Sequence, residues 1–159
     1  MAVPELRMLH TLAGILRTSV HEEAPEDEHD AKCLEETATK SCVIVQNLAG
    51  ESANHLLMID PKLDLMTILA AVILYKEGDI RLKAFGAIVN LSLSQDTQVA
   101  IGSAEGAFAA LVSILRDESV GDFRARAAGV LQNLAVEQNN RVVMGADSSL
   151  GLIPTVVHY

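Results

Sequence analysis

Three pairs of polar residues recur at a constant distance along the chain, and each pair joins a cation to an amide. The cation precedes the Asn by seven residues, and successive Asn residues are 43 residues apart. The pairs are Lys40 with Asn47, Lys83 with Asn90, and Arg126 with Asn133. An amide both donates and accepts hydrogen bonds, so a row of Asn side chains can pair with polar groups of either kind. A neighbouring row of cations would select carboxylates or phosphates.

The rest of the sequence contains no recognisable catalytic or metal-binding motif. A glycine-rich phosphate loop, a zinc-protease motif and a serine-nucleophile motif are all absent from it. Neither Cys33 nor Cys42 has an adjacent His that could activate the thiol. His21 and His29 lie among acidic residues without the ligand spacing of a metal site. We therefore predict a protein without enzymatic activity, metal site or cofactor.

The residues around each Asn also repeat, and they indicate the helix that carries each pair. Apolar or small residues lie six and two positions before the Asn and one position after it, which draws one stripe along a helix. The stripe residues are Ser41, Val45, Leu48, Ala84, Ile88, Leu91, Ala127, Leu131 and Leu134. Helix geometry turns the Asn by about 100° from the stripe residue that follows it. We expect the amides and the cations to face away from the packed stripe.

Each of these three signature helices is expected to lead into a short polar turn, a brief helix and a more apolar helix. The brief helices are predicted at residues 53–59, 97–103 and 140–146, and the apolar helices at 64–75, 105–116 and from 151 onward. We expect Asp79 and Asp122 to cap the signature helices that follow them. A period of 43 residues is typical of repeat proteins whose units contain two or three helices.

Composition supports a helical protein and limits its partners. The chain has 159 residues, 50% of them apolar but only 3% aromatic, which favours an aliphatic core between helices. A net charge of −9 argues against general binding of nucleic acid or anionic membrane. The longest apolar run, Leu65 to Tyr75, is too short for a membrane span of about 20 residues, so we expect a buried helix. Two cysteines and no secretory signal predict reduced, buried thiols in the cytosol or nucleus.

The stretches around the second and third Asn resemble the armadillo repeat family, including its β-catenin-like and U-box members. The resemblance is carried by Arg81, by Ala84-Phe-Gly-Ala-Ile-Val-Asn90-Leu-Ser and by Leu131-Gln-Asn133-Leu-Ala, each in the same register. It implies an all-α, right-handed solenoid in which the third helices line a concave groove and their Asn row binds a peptide backbone. Family members that bind nuclear signals have a Trp one turn before the Asn, where this chain has Val43, Gly86 and Gly129. The basic row instead resembles grooves that bind acidic peptides.

The spacing and the resemblance together predict one repeat array over residues 1–159. Its predicted parts are a partial-repeat helix at 1–20, an acidic loop at 21–31, a third helix at 32–50, repeats at 51–93 and 94–136, and a partial repeat at 137–159. No polar cap is apparent at either end. We therefore expect apolar surface and self-association there, at Leu6, Leu9, Leu12, Ile15, Leu152, Ile153, Val156 and Val157.

Two functions are consistent with this sequence. The first is a non-catalytic protein-interaction module whose groove binds an extended, acidic peptide through the three cations and the three amides. The second is a structural segment that assembles through its ends or its convex face. Two further alternatives concern the rows themselves: the Asn side chains bond only to neighbouring backbone and set the stacking of repeats, or the basic row is a coincidental solvated surface.

Overall fold

The part of the chain that the structure describes is helical throughout. The computed structural model describes residues 4–21 and 25–146, and there is no β-strand within them. The helices in chain order are α1 (Pro4–His21), α2 (Glu28–Ala49), α3 (His55–Met58), α4 (Leu65–Tyr75), α5 (Gly78–Ser92), α6 (Gln95–Ser103), α7 (Ala107–Arg116), α8 (Phe123–Leu134) and α9 (Gln138–Ala146). Single 3₁₀ turns, Ser52–Asn54 and Glu118–Val120, precede α3 and α8. The prediction of an all-α fold is confirmed.

The helices form two rows that share an aliphatic core. The signature helices lie side by side, because α2 packs against α5 and α5 packs against α8. In the second row α1 contacts α4 and α4 contacts α7, and each of these helices also packs on the signature helix that follows it. Eight of the eleven residues of α4 are buried, which confirms that the longest apolar run is a buried helix.

The predicted stripe of each signature helix faces this core. Eight of the nine stripe residues are buried, and Leu48 is half-buried and packs against the core. Phe85 and Phe108 are buried in this core as well. Phe123 is half-buried, with its ring centre 6.0 Å from that of Phe85. Aromatic contacts at this distance add to the burial energy, so Phe123 helps to hold α8 against α5.

Two arginines 43 residues apart tie the two rows together. Arg81 donates from Nε to the carbonyl oxygen of Ile73 at 3.0 Å, and Arg124 donates from Nε to that of Leu115 at 3.1 Å. Both carbonyl groups lie near the C-terminal end of an apolar helix, where intrahelical partners run out. Each arginine lies on the signature helix that follows α4 or α7 and supplies a hydrogen-bond donor to the C-terminal end of that apolar helix.

The acidic segment before the first signature helix is shorter than predicted. α2 begins at Glu28 rather than after residue 31, and residues 22–24 lie outside the described part. The carboxylate of Asp27 accepts hydrogen bonds from the backbone N–H groups of His29 at 2.8 Å and Asp30 at 3.1 Å. An N-cap of this kind satisfies backbone donors and favours a helix start. The sequence between Asp27 and the stripe is therefore helical although it is highly charged.

The prediction that Asp79 and Asp122 lie at the N-caps is wrong for Asp79, whereas Asp122 does occupy the N-cap position of α8 but makes no capping bond. α5 already begins at Gly78, so Asp79 lies inside the first turn, where its carboxylate is 3.7 Å from Nζ of Lys83. Asp122 directly precedes α8, but its φ of −61° and ψ of −18° are helical, and its side chain accepts no hydrogen bond from the helix. A capping residue needs an extended backbone to turn its side chain toward the first N–H groups.

The expectations for the cysteines and for the N-terminal end are partly wrong. Cys42 is buried as predicted, whereas Cys33 is exposed, because it lies on the solvent side of the charged first half of α2. Leu9 and Leu12 were expected to be open and are buried, since α1 packs against both α2 and α4. The predicted helix from residue 151 and the apolar residues Leu152, Ile153, Val156 and Val157 lie outside the described residues.

Candidate functional site

The three signature helices bring the predicted site residues onto neighbouring elements. Lys40 and Asn47 lie on α2, Lys83 and Asn90 on α5, and Arg126 and Asn133 on α8. Because α5 packs between α2 and α8, the three pairs follow one another across the row of helices. All three cations are at least partly exposed, as is each Asn.

Both lysines have an acidic partner one turn earlier on the same helix. Nζ of Lys40 is 3.9 Å from a carboxylate oxygen of Glu36, and Nζ of Lys83 is 3.7 Å from one of Asp79. The Lys40 side chain is 77% exposed and that of Lys83 is 37% exposed. Exposed pairs four residues apart on a helix contribute only about 0.3–0.5 kcal/mol. An incoming carboxylate can therefore exchange with either partner at little cost.

Arg126 has an aromatic partner in place of an acidic one. Its guanidinium carbon is 5.5 Å from the ring centre of Phe123, on the same helix. A cation over an aromatic face is stabilised by about 0.5–1 kcal/mol at an exposed site, and the guanidinium keeps its edge donors available for a carboxylate. The third cation is thus held in position without a neutralising charge from any described residue.

Two of the three Asn side chains connect one signature helix to the preceding one. Nδ2 of Asn90 donates to the backbone carbonyl oxygen of Gln46 at 3.0 Å. Nδ2 of Asn133 donates to the hydroxyl of Ser92 at 3.2 Å, and that hydroxyl donates to the carbonyl oxygen of Val89 at 2.8 Å. Val89 lies 43 residues after Gln46 and therefore occupies the same position on its helix. Asn90 bonds to the Gln46 carbonyl directly, whereas Asn133 reaches the Val89 carbonyl through the Ser92 hydroxyl.

The first Asn differs from the other two. Asn47 is exposed and forms no side-chain hydrogen bond with any residue of the described ranges 4–21 and 25–146. α5 and α8 each have the preceding signature helix packed on the side that carries their Asn. No described signature helix packs on that side of α2. Within these ranges nothing occupies the two donors and the acceptor of the Asn47 amide, which suits the side chain to bind solvent or another molecule.

The surface between cation and amide is not the uniform shallow floor that Val43, Gly86 and Gly129 suggest. Gly86 is buried, and a Cβ atom on it would overlap the side-chain amide of Gln46. At Gly129 a Cβ atom would meet nothing within 4 Å. The Gln46 side chain thus occupies the space above Gly86, while the equivalent space on α8 is open.

A set of polar side chains that sequence analysis missed caps the signature helices. Two adjacent residues of each following helix or turn reach back to the last carbonyl groups of the signature helix, six residues earlier. The donors are Asn54 and His55 for α2, Thr97 and Gln98 for α5, and Asn140 and Arg141 for α8. They are spaced by 43 residues, so the sequence contained a signal that a search for side-chain caps would have found. These bonds supply donors to carbonyl groups that lack an intrahelical partner, and those of Leu48, Leu91 and Leu134 also accept one from the backbone of the following turn.

One cleft joins this capping set to the Asn row. It measures about 280 Å³ and lies between the C-terminal ends of α2 and α5. Its walls include Glu51, His55, Asn90, Leu93 and Ser94. His55 is held by a 2.9 Å contact from Nε2 to the carbonyl oxygen of Ala49, which fixes the proton on Nε2 because a carbonyl only accepts. The cleft therefore places a small recess directly beside the central amide.

The described ranges contain neither a metal-binding cluster nor a single helix suited to span a membrane. There, no three His, Cys, Asp or Glu side chains come close enough together to hold a metal ion. No individual helix among these residues combines the length and apolarity of a membrane span, although the pair Gln95–Ser103 and Ala107–Arg116, bent by 93°, reaches those values jointly.

Known proteins give no independent assignment for the row of cations and amides. The chain matches no family model, no curated protein and no solved structure.

Proposed function

We propose that this chain is an armadillo-type repeat array that works as a non-catalytic interaction module in the cytosol or nucleus, binding an extended acidic peptide. The observation that carries the proposal is the recurrence of a cation and an amide, seven residues apart, on three helices that lie side by side. A polar row of this kind offers an extended chain the same pair of contacts at each helix.

The amides retain enough hydrogen-bonding capacity for a ligand. An Asn side chain has two N–H donors and one acceptor oxygen. Asn90 uses a donor in its bond to Gln46, and no residue of the described ranges donates to its Oδ1. One amide hydrogen and the oxygen thus remain, which matches the acceptor and the donor that a peptide unit offers. The same side chain can therefore hold two helices together and bind a peptide.

The length and charge of the ligand follow from the helices. Packed helices are 8–10 Å apart, so the outer two of three axes are separated by roughly 20 Å. An extended peptide covers that distance with about six to eight residues. Because Lys40 and Lys83 are paired only through weak surface contacts, acidic side chains of the peptide can replace Glu36 and Asp79.

The test compares an acidic peptide of eight residues with the same peptide in which Gln replaces each acidic residue. Calorimetry at low salt should give tighter binding of the acidic peptide, and added salt should remove most of the difference. Lys83→Glu should weaken binding of the acidic peptide, whereas Lys62→Glu, on the exposed turn before α4, serves as a matched control. Equal affinities for both peptides at both salt concentrations would contradict the proposal.

A second candidate, a structural segment that serves assembly, is favoured by one specific observation. The amides of Asn90 and Asn133 bond to neighbouring signature helices and so act in helix packing. If packing is their whole role, Asn90→Ala will lower the stability of the protein and leave peptide affinity unchanged. If the groove binds peptide, both quantities will fall.

A further inference from the structure

One side of α2 is not covered by any helix in the described part of the chain. We call it the amide face; it consists of Lys40, Val43, Ile44 and Asn47. Ile44 is 42% exposed and Asn47 is exposed. The residues 43 positions later on α5 are Lys83, Gly86, Ala87 and Asn90, and all of them are half-buried or buried.

One side of α8 is likewise not covered by any helix among residues 4–21 and 25–146. We call it the carbonyl face; it consists of Ala125, Ala128 and Gln132, all of them exposed. The residues at the same positions of the other two signature helices are half-buried or buried. They are Leu82, Phe85 and Val89 on α5, and Thr39, Cys42 and Gln46 on α2.

Faces of these two kinds meet twice within the chain. Between α2 and α5, Gln46 accepts the amide of Asn90 at its backbone oxygen, and its side chain covers Gly86. Between α5 and α8, the amide of Asn133 reaches the carbonyl of Val89 through Ser92. The amide face of each signature helix thus packs on the carbonyl face of the preceding one.

The backbone of α8 has an open acceptor at the corresponding position. Gln132 lies 86 residues after Gln46, at the same place near the end of its helix. The N–H groups of Ala135 and Val136 donate to Leu131 and Asn133 rather than to Gln132. The carbonyl oxygen of Gln132 is therefore available to a side-chain amide, as that of Gln46 is to Asn90.

We infer that the amide face of α2 in one copy of this chain packs on the carbonyl face of α8 in a second copy. The contact repeats the joint between α2 and α5, with the amide of Asn47 donating to the carbonyl oxygen of Gln132 in the second copy. The two faces are different surfaces, so the contact is head-to-tail and leaves one face of each kind open at the ends of a pair. Further copies can therefore be added in a row, each extending the line of cations and amides.

The test is sedimentation velocity of the chain over a series of concentrations, with one variant for each face. Ile44→Glu places a charge on the amide face and Ala128→Glu places one on the carbonyl face, both at partly or fully exposed positions. Leu56→Glu changes an exposed apolar residue on α3 and is the control. Wild type and the control should gain mass steadily with concentration, while each face variant alone should remain a monomer.

Mixing the two face variants gives the decisive measurement. Each retains the face that the other has lost, so an equimolar mixture should form a dimer of one copy of each and grow no further. Circular dichroism melting curves like that of wild type establish that the variants are folded, and Ala125→Glu replaces Ala128→Glu if the latter is not. A wild type that stays monomeric, a mixture that stays monomeric, or a face variant that dimerises with itself would each overturn the inference.

Discussion

The side-chain amide of Asn90 donates to the backbone carbonyl oxygen of Gln46, 3.0 Å away on the neighbouring signature helix. This oxygen lies near the end of α2, where the N–H of Gly50 donates to Asn47 instead. One side chain thus joins two helices and satisfies a carbonyl group that α2 leaves without an intrahelical partner. Asn47, at the same position of α2, makes no such bond within the described part of the chain.

Replacing Asn90 with Ala should therefore destabilise the protein, and replacing Asn47 should not. We expect Asn90→Ala to lower the free energy of unfolding by about 1 kcal/mol, the usual value of one hydrogen bond. Asn47→Ala, the matched control on the exposed amide face, should change it by less than about 0.5 kcal/mol. Urea denaturation followed by circular dichroism measures both. Equal losses in the two variants would mean that the bond from Asn90 does not stabilise the helix pair.

Gly102 is required by the position of Asn140. A Cβ atom at residue 102 would overlap the Asn140 side chain, which is fixed by bonds from Nδ2 to the carbonyl oxygens of Gln98 at 3.1 Å and Leu134 at 3.0 Å. We expect Gly102→Ala to destabilise the protein by about 1–3 kcal/mol, as overpacking does.

The matched control for Gly102 is Gly129, in the middle of α8. A Cβ atom there meets nothing within 4 Å, so Gly129→Ala should stabilise the helix by about 0.5–1 kcal/mol. Thermal unfolding of both variants measures the difference. A stabilising effect of Gly102→Ala would show that Asn140 can leave its two bonds without cost.

The two cysteines should differ sharply in reactivity. Cys33 is exposed, whereas Cys42 is buried, and burial raises the pKa of the Cys42 thiol from 9.0 to about 12. Because the thiolate is the reactive form, a disulfide reagent at mildly alkaline pH should modify one thiol per folded chain. Cys33→Ser should abolish this reaction, and Cys42→Ser should leave it unchanged. Fast labelling of the Cys33→Ser variant without denaturant would contradict the burial of Cys42.

The same thiol makes stability depend on alkaline pH. Above about pH 9 the Cys42 thiol ionises in the unfolded chain but stays protonated in the folded one, up to a pH of about 12. Ionisation therefore favours the unfolded state, and the contribution of Cys42 to stability decreases as the pH rises through this range. Cys42→Ala should weaken that dependence. Urea denaturation at a series of pH values between 8 and 11 is the measurement, and unchanged slopes would contradict this prediction.

Asp117 should make stability depend on acidic pH. The Ser119 hydroxyl and the Arg81 guanidinium, which both bond to its carboxylate, lower the pKa of Asp117 from 3.8 to about 2. Between these values the unfolded chain binds a proton at Asp117 and the folded chain does not. The contribution of Asp117 is thus complete above about pH 4 and is lost as the pH falls toward 2.

Variants at two adjacent positions isolate the effect of Asp117. Asp117→Asn should flatten the pH dependence of the free energy of unfolding between pH 4 and 2. Glu118→Gln, at the exposed neighbouring position, should leave it unchanged. Denaturation curves at several pH values in this range compare the variants with wild type. The same pH dependence in Asp117→Asn and wild type would show that the carboxylate is not held by its partners in solution.

Which residues of a helix are buried was predictable where the periodicity of that helix alone decides it. The stripe residues Ala84, Ile88 and Leu91 follow helical periodicity, and the burial of α4 follows from an apolar run with no charge. The polar positions were harder to predict because their environment depends on a second helix. Nothing near Gly86 in the sequence indicates that the side chain of Gln46 lies on it.

The candidate site shows the same division. The partial exposure of the cations and amides could be predicted, because these residues lie off the apolar stripe. It does not give the bond from Asn133 to Ser92, which requires the distance between two helices. Cys33 was misassigned because cysteine is commonly buried, whereas its position among Glu and Lys residues of α2 places it on the solvent side.

The side-chain caps have a consequence for where this chain can be shortened. The groups that close the end of α5, Thr97 and Gln98, belong to α6, so a cut after Leu93 would remove both and leave the carbonyl oxygens of Leu91 and Ser92 open. A cut after Ala104 would keep them. The unit that can be excised intact is therefore offset from the predicted repeats at 51–93 and 94–136. It begins and ends after a brief helix rather than before one.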